Sequence, residues 1–300
     1  MKGICFVLLL CSFYGYGQNK KHHYFFAMAE QPVTGATLAD SVQKILSARL
    51  YRAGYKDCTV SFIPGKNQLE VSSSKPIDTG FITTQLIRPG KVNFFETYQL
   101  SELMPLFQPD STIPEVTRHL LDDFTSLIHA AEYDAGNGAT AFVGFVDIKD
   151  TAAFTIAQKA LHNYWPADMT FAYQLQNTGL PNGALLLYAL HNNSKQLQVN
   201  ALLDSAAVNI NYSGYPVVLM HFNQEGALLF HQMTLQNIRR SIAIVIDDVI
   251  YSAPTIVAPV EGGKVEIAGN FTMMETIALV HLLNAGQLPL ALTPVHNFTQ

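Results

Sequence analysis

The triplet Asp78-Thr79-Gly80 is the first feature of this sequence that could do chemistry, because aspartic proteases use the same three residues. That reaction needs two carboxylates sharing one proton, each presented on a loop between strands. Here the triplet occurs once, between Pro76 and Phe81, in a pattern that opens a helix; Asp78 reads as its cap. Ten histidines are the next candidates. His22-His23 lies near the front, and His221, His231 and His281 lie near the end, with no His-x-x-x-His or Cys-x-x-Cys spacing to hold a metal. Cys58 has no base in a readable motif and is expected to pack as a small hydrophobe. Gly262-Gly263 reads as a turn between strands, and no Gly-x-Ser-x-Gly or phosphate-binding loop is present. No catalytic residue, cofactor or metal is therefore assigned.

Two features remain. Asp247-Asp248 interrupts the apolar run "SIAIVIDDVIYSAPTI" where a tight hairpin needs residues that tolerate left-handed backbone. The chain also holds 18 Phe and 13 Tyr against one Trp. Those in "HHYFF" and "NFFETY" are expected chiefly to fill a sheet-rich core, the other reading being a groove for extended polypeptide.

A net charge of −5 and pI near 6.0 offer no basic surface for nucleic acid. The 49% apolar and 14% charged composition is that of a folded chain, not a disordered one. Residues 1–17 read as a cleavable leader, with Lys2 as the basic region, Ile4–Cys11 as the apolar stretch and Gly15-Tyr16-Gly17 before the expected cut at Gln18. The apolar stretch would span only about 12 Å as a helix, too little for a bilayer. Lipid attachment at Cys11 is not expected, since Leu10 stands where a small residue is needed. The expected location is periplasmic or otherwise exported.

These side chains must be positioned by ordered elements. His22–Ala29 reads as a strand, followed by a helix capped by Thr37, with Leu38, Val42, Ile45, Leu46 and Leu50 on one face and Gly54 at its stop. Short strands at 58–63 and 68–72 flank the Pro64–Asn67 turn; a helix from Asp78 and the strand "KVNFFETY" follow. The order β-α-β-β-α-β predicts a ferredoxin-like split βαβ layer. Near the end come the strand "YPVVLMHF", a helix capped by Asn223, the hairpin around Asp247, the strand "KVEIAG", and a helix opened by the Thr272-x-x-Glu275 capping box and closed by Gly286 and Pro289. The expected architecture is α+β: a base from residues 18–99 and 215–300, carrying an inserted head at 100–214.

Nearly all of the chain after residue 17, most densely its last third, resembles the periplasmic first domain (P1) of the SecD/SecDF protein-export family. The resemblance rests on Phe222, Asn223, Gly226, Ala227, Phe230, Thr234 and Asn237, then Ala243–Val245, Asp247, Ser252, Ala253 and Pro254. Gly269-x-Phe271-Thr272, Glu275 and Gly286-x-Leu288-Pro289 continue it, and Arg49, Leu50 and Gly54 match an upstream element. Three departures stand out. A leader replaces the family's first membrane helix, its Gly-Leu-Asp-Leu-x-Gly-Gly segment is absent, and Arg239 stands where Gly is frequent. Without a membrane bundle, no intramembrane carboxylates could use a proton gradient.

The resemblance implies a non-enzymatic exported module that binds translocating or exported polypeptide, or export-channel membrane proteins. On this view Asn223, Gly226, Asp247, Ser252, Pro254, Gly269, Phe271, Thr272, Glu275, Gly286 and Pro289 are structural determinants. The alternative is an exported small-ligand binder or hydrolase built on the same scaffold.

Overall fold

The computed structural model describes residues 21–29, 36–108, 112–129, 141–174, 183–193, 196–269 and 271–295; the expected leader lies outside them. Period-two burial builds the first layer. In β3 (Gln68–Ser73) Leu69, Val71 and Ser73 are buried while their neighbours are not. β3 lies between β1 (His22–Met28) and β2 (Thr59–Ile63), and β14 (Leu292–Pro294) completes an antiparallel sheet of order β14-β1-β3-β2. Phe26 faces Pro294 and Met28 faces Leu292, so the two extremities of the described chain share one sheet.

Over this sheet lies α1 (Ala36–Arg52), which buries Val42, Leu46 and Leu50 at helical spacing. It begins one residue before Thr37, which therefore falls in the first turn and not at the cap. Asp78 does cap α2 (Thr79–Phe81), its carboxylate accepting the Phe81 N–H at 2.7 Å. The helix runs on as a π-helical turn, Ile82–Leu86, that buries Ile82 and Leu86.

The strand expected to close this layer does not join it. β4 (Val92–Glu96) pairs antiparallel with β11 (Ile242–Ile246), and β14 takes the place beside β1. The reason is burial: Val92, Asn93, Phe94 and Phe95 are all buried, so β4 needs cover on both faces. The seven-stranded sheet supplies it, in the order β5 (Phe142–Asp147), β7 (Ala184–His191), β6 (Met169–Gln174), β12 (Val249–Ser252), β11, β4, β8 (Leu197–Gln198). Phe94, Ile242, Ile244 and Ile246 pack toward α6 (Gln224–Gln236) and α7 (Met273–Ala285). Phe95, Ala243 and Val245 on the other face meet Leu186, Tyr188 and Leu190 of β7. Two-sided burial explains why β11 is an unbroken apolar run.

α3 (Leu100–Phe107), α4 (Glu115–Ser126) and α5 (Thr151–Ala160) cover the β5–β7 end around Phe124, Phe154 and Trp165. A three-stranded sheet completes the fold, ordered β13 (Lys264–Ile267), β10 (Pro216–Phe222), β9 (Leu203–Ile210). The division expected at 214/215 falls inside the β9–β10 hairpin, and β5–β8 share a sheet with β4, β11 and β12. Inserted region and flanks thus interleave. The aromatic stretches "HHYFF" and "NFFETY" put Phe26, Phe94, Phe95 and Tyr98 into cores and contribute none of the cleft lining described next.

Candidate binding cleft

The chain leaves the first layer around 87–91 and returns around 286–288, and Arg49 holds both passages. The residue is 3% exposed, and its guanidinium donates to the carbonyls of Gln85 (3.2 Å), Leu86 (2.9 Å), Arg88, Pro89 (3.2 Å) and Gly286 (2.9 Å). Burial pushes its pKa down to about 10; Asp247 opposes the shift and Arg88 adds to it. Gly90 at φ +73° passes so close that a Cβ there would lie 3.0 Å from Arg49 Nη2. The Leu288 N–H reaches the Pro89 carbonyl at 2.8 Å, tying the passages together.

The β11–β12 turn docks on the same joint. Asp247 and Asp248 hold φ of 51° and 64°, the left-handed pair of a tight hairpin turn. Asp247 Oδ1 accepts the Lys91 N–H at 2.8 Å, and Oδ2 lies 2.6 Å from Arg88 Nε. Thus fixed, the Arg88 guanidinium sits 5.6 Å from the Tyr251 ring centre, a cation–π distance. Tyr251 in turn stacks on Phe271 at 6.0 Å. The Phe271 ring lies on the Gly269 backbone, where a Cβ would come within 2.9 Å of it.

These groups line a cleft of about 380 Å³. Thr84, Gln85 and Arg88 form one wall, Tyr251 and Phe271 a second, and Met274, Glu275, Ala278, Leu279 and Leu282 of α7 a third. Its floor is apolar, with Phe271, Leu279 and Leu282 buried, and Met274 at the mouth is 75% exposed. The polar rim is partly committed. Glu275 Oε2 accepts from the Thr272 N–H (2.8 Å) and hydroxyl (2.9 Å), while the Thr272 hydroxyl accepts the Glu275 N–H (3.2 Å), completing the predicted capping box. Gln85 and the Asp247-paired Arg88 complete the rim. The lining contains no nucleophile beside a base. Its size and make-up suit one or two apolar side chains, each worth roughly 1.5–3 kcal/mol when fully buried.

Phe271 and Glu275 are therefore in the cleft, Asp247 orients Arg88, and Gly269 backs Phe271. Gly286 ends α7 and supplies one carbonyl to Arg49. The others lie apart. Asn223 caps α6 by accepting the Gly226 N–H at 2.8 Å, Ser252 pairs with Ile244, the Pro254 carbonyl accepts the Ile242 N–H at 3.2 Å, and Pro289 is exposed before β14. Sequence reasoning missed Thr84, Gln85, Arg88, Tyr251 and Met274, which are brought together from distant segments without a shared spacing. One signal was available: Arg49 falls on the apolar stripe of α1, where a charge demands a partner.

A second polar cluster sits elsewhere. Asp168 accepts from the Tyr98 hydroxyl (2.8 Å), His191 Nδ1 (3.0 Å) and Asn193 Nδ2 (3.1 Å). The hydrogen bond to His191 is the largest cause holding its pKa near 2; burial opposes it, and Tyr98 and Asn193 assist. Tyr98 stacks on His191 with ring centres 3.6 Å apart, and its own pKa is raised, first by burial and then by Asp168. None of these residues lines the cleft. Cys58 is a free, half-buried thiol packed on the first core. Among the described residues no three His, Cys, Asp or Glu side chains gather as a metal site.

Comparison with known proteins places the chain. Residues 188–290 match the family model of the SecDF P1 head subdomain. SecD of Acidaminococcus fermentans is 40% identical over 98 residues, covering 33% of this chain and 23% of the relative. SecD of Magnetococcus marinus is 31% identical over 131 residues, 44% of this chain and 25% of the relative. The matches thus span about a quarter or less of these curated relatives. A structure described as a membrane component SecDF that enhances protein export superposes over 93% of this chain and all of that one, with a TM-score of 0.53 at 16% identity. SecDF in its super-membrane-facing form gives the same score and identity over 91% of this chain and 29% of that one. Among the described residues no helix is long and apolar enough to cross a membrane. Residues 188–290 are thus similar to the SecDF P1 head subdomain, and the mixed α and β fold of the chain is similar to that of a solved SecDF structure.

Proposed function

We propose that this chain is an exported, non-enzymatic module that binds extended polypeptide, translocating or newly exported, at the cleft between its first layer and α7. Export-channel membrane proteins are the natural neighbours of such a module. The first layer serves as a ferredoxin-like base whose fourth strand comes from the far end of the chain, and the remainder as the head. One observation carries the reading: an apolar cleft rimmed by Gln85 and Arg88, in which every acidic group is already engaged. Such a site takes apolar side chains from any sequence and meets main-chain carbonyls with its rim, giving weak and unselective binding.

The test is a photo-reactive residue at Met274, at the cleft mouth, in the full chain expressed in the periplasm. Lys66, on the far turn of the first layer, is the control position. Recovery of secreted polypeptides or export-channel subunits from position 274 and not from 66 is expected. A small molecule bound there in their place would favour a ligand binder or hydrolase and sink the reading.

A further inference from the structure

We infer that the outer edge of β9 accepts an uncharged, extended polypeptide segment as an added strand along Val208–Ile210. The inference rests on the polypeptide-binding reading for the kind of partner, but its site is separate from the cleft. Among the described residues β9 ends its sheet, with β10 on one side only. The Asn284 carboxamide from α7 marks the other side: it accepts the Ala206 N–H at 2.9 Å and donates to the Ala206 carbonyl at 2.7 Å. Ala206 therefore turns its backbone groups away from β10. By the two-residue period of a strand, Val208 and Ile210 turn theirs the same way. Past Asn284 their N–H and C=O groups meet no partner among the described residues and form an open row.

Natural edges of this kind are guarded by Lys, Pro or a charge pointing inward. Here residues 205–216, "SAAVNINYSGYP", carry no charge at all, and the Pro comes only after the turn. Val208 is 37% exposed, Ile210 48%, and Tyr215 58%. The turn beyond is braced, since Asn211 Oδ1 accepts the N–H groups of both Ser213 and Tyr215 at 3.0 Å. The edge is thus held open in strand geometry before anything binds. Charge complementarity selects the occupant: a charged strand laid here would lose hydration and find no counter-charge, whereas a neutral one with alternate apolar residues would cover Val208 and Ile210. Asn284 already shows the pairing in miniature, an amide seated on a strand residue's N–H and C=O.

The probe is a capped, fluorescent peptide of about eight residues alternating Ser and Val, with a twin N-methylated at alternate residues. It is titrated against the full chain, Val208→Pro and Ile210→Lys. Proline at an outward-facing edge position removes only a solvent-facing N–H and leaves the β10 pairing intact; melting curves check that both variants fold. Binding should weaken at least about tenfold for the twin and for each variant, and the Val208 and Ile210 amide protons should become exchange-protected on adding the peptide. Tyr251→Ala should leave the peptide-induced protection of the Val208 and Ile210 amides unchanged, which separates failure at this edge from failure at the cleft. Equal binding by Val208→Pro, no binding by the parent, or self-association abolished by Val208→Pro would each overturn the inference.

Discussion

Replacing Arg49 by Met keeps most of the side-chain volume and removes every guanidinium donor to the two chain passages, leaving only the Leu288 N–H on Pro89 to tie them directly. Five carbonyls lose their shared partner, at Gln85, Leu86, Arg88, Pro89 and Gly286. A buried acceptor left without a partner costs about 1–3 kcal/mol. Water entering from the cleft side can serve some of the five. If two stay dry the loss is about 2–6 kcal/mol, which overlaps the roughly 3–5 kcal/mol typical of breaking a buried charged network. Relief of the guanidinium's own desolvation, visible in its depressed pKa, offsets part of this and argues for the lower half of the range. We expect Arg49→Met to lower stability in urea by about 2–4 kcal/mol with the slope unchanged, and Arg49→Lys to recover about half. Hydrogen exchange should quicken first at the Leu288 and Lys91 amides, whose acceptors are Pro89 and Asp247. A loss below about 1 kcal/mol, with those amides still protected, would refute the idea that Arg49 holds the joint.

Other outcomes follow from the same geometry. Arg239 holds φ of 66°, a left-handed position, so Arg239→Gly should raise stability by a few tenths to about 1 kcal/mol in thermal melts. Asp247→Asn keeps the turn and an acceptor for Lys91 but removes the half-buried ion pair to Arg88; a loss of about 1–2 kcal/mol is expected, together with weaker cleft binding. Asp168 titrates near 2 in the fold against an ordinary 3.8, so its stabilising share is complete above pH 4 and disappears as pH falls toward 2. The melting temperatures of parent and Asp168→Asn should therefore converge over that window. N-terminal sequencing of any protein recovered from the periplasm should begin at Gln18 if residues 1–17 are a cleaved leader.

Most local signals, though not the cap expected at Thr37, were legible where neighbours in sequence decide the structure. Asp78, Asn223 and the Thr272–Glu275 pair act on N–H groups three residues away, and all were readable as caps. Asp247-Asp248 was readable as a turn, because few residue types hold positive φ twice in succession. From the resemblance Arg239 is expected to stand where Gly is frequent, and its backbone is left-handed. The destination of β4 was not legible. An apolar strand after a helix fits the first layer as well as any other, and only the shortage of cover on both faces sends it to β11.

The amino-acid sequence alone determined the caps, the turns, the amphipathic stripe of α1, the absence of a basic surface and the resemblance to a protein-export domain, since each depends on composition or on residues a few positions apart. Tertiary structure alone decided that β14 closes the first sheet, that Arg49 grips carbonyls from both chain passages, and that Arg88, Tyr251 and Phe271 meet across one cleft. Several of those contacts join residues more than a hundred positions apart. They form only when apolar faces from several elements are buried together, and no local spacing encodes which faces those will be.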